Sequence, residues 1–314
     1  MKGIVKPVFP REVLRYATRP WTKQSDVLAK DIVKNNWMTD SREPLIALSN
    51  KEKDIEVREP VGNYRTLLEL VSRIAALNPE CQLYFRGQTN NYARGKPLIS
   101  LHPSMWHGDI NKTSFASARL RLIECGNRLL DEYRNAYPQE KRFIELLEEN
   151  PQIRWALLQH YGVCGTPLLD VTRNLQVACS FARKGAIGNV GYVYILGLPY
   201  LREAITIDTV EGLSLMSLIG ITPSNARRPL NQDGYLLTTS EWWRYALDYS
   251  SRDSMSPKNK PDFSQRLLAT LAIPTNKAFY ENSGLSDFDS EWLCPRQDEF
   301  ADFLNSIGMK PAYW

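Results

Sequence analysis

Apolar residues recur with a helical period through the first half of the chain. One stripe predicts a helix over 64–77, which Asn63 caps and Asn78-Pro79 ends. Similar spacings predict helices over 117–137 and 139–149. A further helix is predicted over 151–161, because Asn150 can cap it and Pro151 suits its first position.

Short apolar runs become more frequent after residue 160 and indicate strands. The predicted strands are 81–85, 168–171, 191–196, 204–208, 267–273 and one that begins at Gly234. The segment 211–219 is predicted to be helical, and 277–314 has helical spacings. Helices that dominate early and strands that dominate late indicate the α+β class.

The segment 159–182 joins two predicted helices through a short strand. Gly162 is placed to end the first helix in the left-handed conformation, and Thr172 or Asn174 is placed to cap the second. Polar side chains above a buried core suit a functional site. The same junction also suits a purely structural joint, and the pattern alone leaves both open.

The length of 314 residues allows an appended segment beside a main domain. We assign 1–60 to an N-terminal extension, either packed on the main domain or acting as a partner-binding arm, and 61–314 to that domain. The chain has no run of about 20 apolar residues and no signal-peptide pattern, so we expect a cytoplasmic protein that does not enter a membrane. Five cysteines without a C-x-x-C pair and three histidines argue against a metal site.

The net charge of +4 permits a polyanionic partner without requiring one. Because no dense basic block is present, nucleic acid would bind at a folded surface. Candidate contacts are Arg227, Arg228, Tyr92, Trp106, Trp242 and Trp243. The simpler interpretations are a solvated face for the arginines and the core for the tryptophan pair.

Arg86 ends an apolar strand and precedes Gly87. An arginine held in this way presents a fixed guanidinium to a phosphate or a carboxylate. Glycine beside it lets a ligand approach the backbone. The structural alternative is a buried ion pair.

Several ordered blocks of this sequence resemble the FRG domain family. They are Tyr84-Phe85-Arg86-Gly87-Gln88, Leu101-His102-Pro103-Ser104, Gln159-His160-Tyr161-Gly162, Leu168-Leu169-Asp170-Val171-Thr172 and Gln232-Asp233-Gly234-Tyr235. The resemblance covers about 60–310. It departs from the family at Gly165-Thr166-Pro167, where an arginine usually stands before Leu-Leu-Asp.

The order of these blocks also resembles an ADP-ribosyltransferase core, which implies a split β-sheet with helical N-terminal and inserted segments. The resemblance implies that Arg86 holds NAD and that Asp170 and Thr172 form the second motif. It places Gln232 at the first position of the third motif and Gly234 where a catalytic glutamate usually stands. Two alternatives then remain: Asp233 or Glu241 supplies the carboxylate, or a nucleophilic substrate makes charge stabilisation sufficient.

The same resemblance assigns the remaining site residues. Gly87 and Gln88 accompany Arg86 around the cofactor, and Tyr161 or Tyr235 is placed to stack on nicotinamide. His160 is placed to orient a hydroxyl or act as a base, because its charge changes near neutral pH. The alternative for His160 is a helix cap.

The expected activity is NAD-dependent mono-ADP-ribosylation, with Arg86, Thr172, Gln232 and His160 as catalytic residues. FRG proteins resemble the cargo of toxin–antitoxin and phage-defence loci, which implies a toxin and a protein antitoxin as partner. We expect nucleic acid as acceptor, RNA ahead of DNA. Modification of a protein and a module that binds nucleotide or RNA without chemistry are the alternatives.

Overall fold

The computed structural model describes part of the chain, and every structural statement below concerns that part. The described residues are 61–79, 81–90, 101–107, 112–186, 188–200, 204–208, 212–239, 242, 261 and 263–312. The predicted extension 1–60 lies outside them, as do Tyr92, Glu241 and Trp243.

The helices of the described residues follow the apolar stripes of the sequence. They are α1 (Tyr64–Leu77), α2 (Lys112–Ala136), α3 (Lys141–Glu149), α4 (Pro151–His160), α5 (Leu175–Arg183), α6 (Leu218–Ile221), α7 (Arg228–Gln232), α8 (Ser290–Leu293) and α9 (Glu299–Ser306). Short 3₁₀ turns occupy Ser104–Trp106, Phe263–Arg266 and Lys277–Tyr280.

The strands form a single antiparallel sheet. They are β1 (Gln82–Gln88), β2 (Leu169–Thr172), β3 (Val190–Leu198), β4 (Ile205–Asp208), β5 (Leu213–Ser217), β6 (Gly234–Thr239) and β7 (Leu267–Pro274). Their order is β4-β5-β6-β2-β1-β3-β7. Helices together with an antiparallel sheet confirm the predicted α+β class.

Two well-paired groups of strands meet at a narrow joint. β1 pairs with β3 over its whole length, from Gln82↔Leu198 to Gln88↔Tyr192. β1 and β2 pair at one position, Phe85↔Thr172. The sheet is therefore a β4-β5-β6-β2 group and a β1-β3-β7 group joined between β2 and β1.

Helix α5 lies directly against one face of β1 and β3. A Cβ atom built on Gly87 would lie 1.8 Å from the carbonyl oxygen of Ala178, and one on Gly191 would lie 2.1 Å from that of Ala182. No side chain fits in that space, so glycine at both positions allows the helix to approach the sheet.

A helical core adjoins the β4-β5-β6-β2 group. Helices α2, α3, α4 and α9 bring together Leu122, Leu129, Tyr133, Leu147, Leu157, Phe300 and Leu304, with Leu236 of β6 beside them. Every residue of α4 is buried except Gln159, which is half-buried. The sheet face that carries Tyr84, Tyr194, Tyr235 and Leu237 is packed by Leu101 and Phe263.

Several helix ends lie where the capping residues of the sequence predict them. The Asn63 side chain accepts a hydrogen bond from Thr66 N and so caps α1. Gly162 has φ +65°, as expected for the residue that ends α4. Asn174 accepts from the backbone N–H groups of Gln176 and Val177, so it caps α5.

The helix predicted over 211–219 is wrong. Leu213–Ser217 is strand β5, and helix α6 begins only at Leu218. β5 lies between β4 and β6, and four of its five residues are buried. An apolar run buried on both faces of a sheet lacks the alternation that identifies a strand from sequence.

Candidate functional site

The centre of the candidate site is the carboxylate of Asp170 in β2. Its side chain is 37% exposed. Gln159 at the end of α4 donates from Nε2 to Asp170 Oδ2 at 2.5 Å. The neighbouring His160 places Nδ1 3.8 Å from Oδ1 of the same carboxylate. A half-exposed anion is therefore held between a carboxamide and an imidazole.

Gln159 is fixed by a network of its own. Its Oε1 accepts from the hydroxyls of Ser104 at 3.0 Å and Thr166 at 2.5 Å. The Ser104 hydroxyl in turn accepts from the backbone N–H of Thr166 at 3.0 Å. The carboxamide is thereby oriented with its nitrogen toward Asp170, which fixes the rotamer of the carboxylate as well.

Sequence reasoning gave Gln159 no role of its own. The available signal was one long polar side chain at the end of an otherwise apolar helix. That pattern also fits a helix terminus exposed to solvent. The partners Ser104 and Thr166 come from two other segments of the chain, so only the fold could show the network.

His160 is almost fully enclosed beside Asp170, with a side chain 3% exposed. Its Nε2 has no hydrogen-bond partner among the described residues. Gly234 lies next to the ring, because a Cβ atom there would be 3.3 Å from His160 Cε1. The position that the resemblance gives to a catalytic glutamate is thus occupied by glycine, with an imidazole against it.

Arg86 crosses the joint between the two groups of strands. Its Nη1 donates to the main-chain oxygen of Asp170 at 2.7 Å. Because side chains alternate along a strand, Arg86 shares a face with Tyr84, whereas Asp170 shares a face with Thr172 and its pairing partner Phe85. The guanidinium and the Asp170 carboxylate therefore leave the sheet on opposite faces and meet at the backbone of β2.

Thr172 contacts the main chain of Gln232, whereas the Gln232 carboxamide bonds a different segment. The Thr172 hydroxyl donates to the main-chain oxygen of Gln232 at 2.7 Å and accepts from Asn174 N at 3.0 Å. Gln232 Nε2 donates to the main-chain oxygen of Leu293 at 2.7 Å. The carboxamide predicted to be catalytic is therefore directed at α8, because the backbone there supplies its acceptor.

Tyr161, one of the two predicted nicotinamide platforms, lies in the core. It is 0% exposed, and its hydroxyl donates to both carboxylate oxygens of Asp298 at 3.0 and 2.9 Å. The Arg228 guanidinium lies 4.8 Å from the ring centroid. Burial, followed by the Asp298 charge, raises the pKa of the Tyr161 phenol.

Tyr235, the other predicted platform, is buried at the joint. The ring centroids of Tyr235 and Tyr84 lie 5.1 Å apart, edge to face. The Arg173 guanidinium lies 5.0 Å from the Tyr235 ring centroid. Arg173 also lies 3.7 Å from Asp233. Burial, followed by the Asp233 charge, raises the pKa of Tyr235.

The glycine and glutamine after Arg86 have different surroundings. Gly87 is covered on one face by α5, as described above. Gln88 is half-buried at the end of β1, opposite Tyr192 of β3. The structure thus places Gln159 and His160 beside the Asp170 carboxylate and places Arg86 at the Asp170 main chain from the other face of the sheet. It leaves Tyr161 and the Gln232 carboxamide outside that group.

Neither a metal cluster nor a membrane span is found in the described part of the chain. No group of three or more His, Cys, Asp or Glu side chains there has a geometry that could hold a metal ion. No helix there is long and apolar enough to cross a membrane.

Comparison with known proteins gives a family match. No curated protein and no solved structure matches the chain significantly. The matched family stretch begins directly before β1 and ends after α5, so it contains Arg86, Gln159, His160, Asp170 and Thr172. Residues 81–187 of this chain match the family model of the FRG domain, and over that stretch the similarity seen in the sequence is confirmed.

Proposed function

We propose that this protein is an NAD-dependent mono-ADP-ribosyltransferase that modifies nucleic acid, with RNA as the preferred acceptor. The observation that carries the proposal is the half-exposed Asp170 carboxylate, flanked by His160 and joined through its own backbone to Arg86. The two charged groups leave the sheet on opposite faces at the joint where β1 and β2 pair at one position, so the proposal places NAD across that joint, with its diphosphate at the cation and its ribose at the anion.

Each charged group has a distinct task in this proposal. Arg86 binds the diphosphate of NAD through its guanidinium, which the bond to Asp170 O holds in place. The Asp170 carboxylate stabilises the oxocarbenium-like ribose, because a fixed anion in a partly dry site is more effective than water. Asp170 thereby replaces the glutamate that the resemblance would place at Gly234.

The transfer step balances without a further reagent. The bond between the ribose C1 and the nicotinamide nitrogen breaks, and nicotinamide leaves with the electron pair. A nucleophilic atom of the acceptor forms the new bond to C1 and loses its proton to water. His160 acts as a positioning residue, because its side chain is 3% exposed and its Nδ1 lies 3.8 Å from the Asp170 carboxylate.

Thr172 and Gln232 act in this proposal as positioning residues. The hydrogen bond from the Thr172 hydroxyl to the main-chain oxygen of Gln232 fixes the segment directly before β6 against β2. Tyr161 is excluded from contact with NAD because its ring is fully buried.

Support for a nucleic-acid acceptor comes from exposed cationic and aromatic groups. The Arg173 side chain, directly after β2, is 46% exposed, and Arg227 is exposed at the start of α7. Trp292, 37% exposed, is stacked on Phe288 at 3.9 Å. Trp106 and Trp242 are excluded as base-stacking residues because both side chains are buried. Their ring centroids lie 5.3 Å apart, so each packs against the other.

The test is transfer of label from NAD. The purified full chain is incubated with NAD labelled in the adenylate together with total RNA, DNA or lysate. We expect nicotinamide release and label in the RNA fraction, removed by ribonuclease but not by protease. Absence of both transfer and nicotinamide release would overturn the proposal. In cells, expression should arrest growth, and Arg86→Ala should relieve the arrest.

A module that binds nucleotide without chemistry is the second candidate. Two observations favour it. Glycine stands at position 234, where the resemblance places a catalytic glutamate, and the Gln232 carboxamide donates to the main-chain oxygen of Leu293. Calorimetric binding of NAD, with the ligand recovered unchanged by mass spectrometry, would support this candidate over the transferase.

A further inference from the structure

An open cavity of about 680 Å³ lies between the start of α3 and the turn that follows α6. It is lined by residues 139–143 and Leu146 on one side and by residues 220–224 on the other. None of these described lining residues belongs to the candidate site around Asp170. Pockets that bind small organic molecules have volumes of roughly 300–1,000 Å³, so this cavity has a suitable size.

We infer that this cavity binds a small organic anion with an apolar body, such as an aromatic carboxylate or phosphate monoester. The inference is independent of the proposed transferase activity. It rests on the volume of the cavity, on its apolar walls and on two exposed cations at its edge.

The walls of the cavity are mainly apolar. Phe143 and Leu146 lie three residues apart on one face of α3, and both are half-buried. Ile221 and Pro223, on the opposite wall, are buried. The Phe143 ring packs against Tyr133, with ring centroids 5.2 Å apart. A fixed apolar surface of this kind favours a ligand with an aromatic or aliphatic body, because binding removes apolar area from water.

The charged groups at the edge of the cavity favour an anion. Lys141 and Arg142, in the first turn of α3, are exposed, and neither forms an ion pair with another described residue. The one carboxylate that lines the cavity, on Glu140, accepts a hydrogen bond from the Tyr133 hydroxyl at 2.7 Å. The ammonium and the guanidinium are thus available to an anionic head group. A guanidinium can bond a carboxylate or a phosphate through two N–H groups at once.

Helix α6 lies between the cavity and the candidate site. Ile221 at its end lines the cavity. Leu218 at its start lies beside Gly234, because a Cβ atom built on that glycine would be 2.8 Å from Leu218 Cδ1. His160 lies against the same glycine. A ligand in the cavity therefore contacts a helix that packs against the candidate site, without occupying the site itself.

The test is isothermal titration calorimetry of the full chain with 2-naphthoate, which joins a carboxylate to a rigid apolar body. Three analogues separate the contributions. 2-Naphthylmethanol has no charge, acetate has no apolar body, and 2-naphthyl phosphate exchanges the carboxylate for a phosphate. The naphthyl anion that binds more tightly identifies the preferred head group.

We expect saturable binding of a naphthyl anion, with one molecule per chain. The uncharged naphthyl analogue should bind about tenfold more weakly or less, which is the contribution of one charge-assisted hydrogen bond. Acetate should show no saturable binding. Equal binding of the charged and uncharged naphthyl compounds, binding of acetate as tight as that of 2-naphthoate, or no saturable binding of either naphthyl anion would overturn the inference.

Variants at exposed positions locate the bound probe without disturbing the core. Arg142→Glu removes a cation from the edge, and Ser224→Trp places an indole in the cavity, so each should weaken binding by about tenfold or more. Arg73→Glu, at an exposed arginine of α1 outside the cavity, is the matched control and should bind like the wild type. Circular dichroism checks that each variant is folded. Folded Arg142→Glu and Ser224→Trp chains that bind the probe as the wild type does would show that it binds elsewhere.

Discussion

The hydroxyl of Tyr161 donates to both carboxylate oxygens of Asp298, which is itself 0% exposed. Asp298 also accepts from the backbone N–H groups of Arg227, Arg228 and Ala301. One buried carboxylate thus caps α9, fixes the start of α7 and holds the turn that follows α4. This contact connects the C-terminal helix to the segment that carries His160.

Asp298→Ala is expected to destabilise the fold by about 3–5 kcal/mol, because it leaves several buried donors without an acceptor. Asp289 is the matched control, since it also caps a helix, accepting from Trp292 N at 2.6 Å. Its replacement by alanine should cost about 1 kcal/mol, as for an ordinary N-cap. Denaturant unfolding of both variants measures the difference, and equal losses would show that Asp298 acts as a cap alone.

Gly87→Ala is expected to destabilise the protein by about 3 kcal/mol or to prevent folding. The added Cβ would lie 1.8 Å from the Ala178 carbonyl oxygen, and neither backbone can move without separating α5 from the sheet. Gly62→Ala is the control, because a Cβ added there would have no neighbouring atom within 4 Å. A Gly87→Ala chain as stable as Gly62→Ala would contradict the close packing of α5.

Alkaline unfolding should accompany tyrosine ionisation. Burial raises the pKa of Tyr64 to about 12, and burial also raises the pKa values of Tyr133, Tyr161 and Tyr280. The unfolded chain loses these protons near pH 10. The stability that neutral phenols contribute is therefore complete below about pH 10 and falls as pH rises toward 12 and beyond.

Tyrosinate absorbance and circular dichroism, recorded together against pH, check this prediction. We expect part of the tyrosinate signal to appear only together with loss of helical dichroism. Complete ionisation near pH 10 with the dichroism intact would contradict the burial of these phenols.

Asp170→Asn tests the assigned carboxylate under the proposed function. Asparagine retains an acceptor for Gln159 but removes the negative charge, so we expect nicotinamide release to fall about 100-fold while NAD binding persists. Asp131→Asn, at an exposed carboxylate on α2, should leave release unchanged. An Asp170→Asn enzyme of normal activity would exclude Asp170 from the chemistry.

The sequence predicted those elements whose signals are local. Asn63 caps α1 through a bond three residues away, and Gly162 adopts the left-handed conformation that ends α4. Strands at β1, β3 and β7 were found because their apolar runs end at glycine, proline or polar residues. These signals depend on backbone geometry within a few residues, which a single sequence displays directly.

Features that depend on distant partners were not predictable in the same way. Arg228 was expected on a solvated face or at nucleic acid, but it is 0% exposed, over the Tyr161 ring and bonded to Ala312 O. The Gln232 carboxamide faces Leu293, far along the chain. The motifs predict that Arg86 and Asp170 lie close together, and they meet at the β2 backbone. The face on which each side chain leaves the sheet depends on the pairing Phe85↔Thr172, which the sequence does not display.

The most direct measurement of the central claim is nicotinamide release from NAD by the wild-type chain and by Arg86→Lys. Lysine keeps the charge but lacks the fork that can bond Asp170 O and a diphosphate at once. Arg65→Lys is the control, at an exposed arginine of α1. We predict release by the wild type and by Arg65→Lys, with a loss of about 100-fold in Arg86→Lys. Equal release by all three, or none by the wild type with RNA present, would contradict the account.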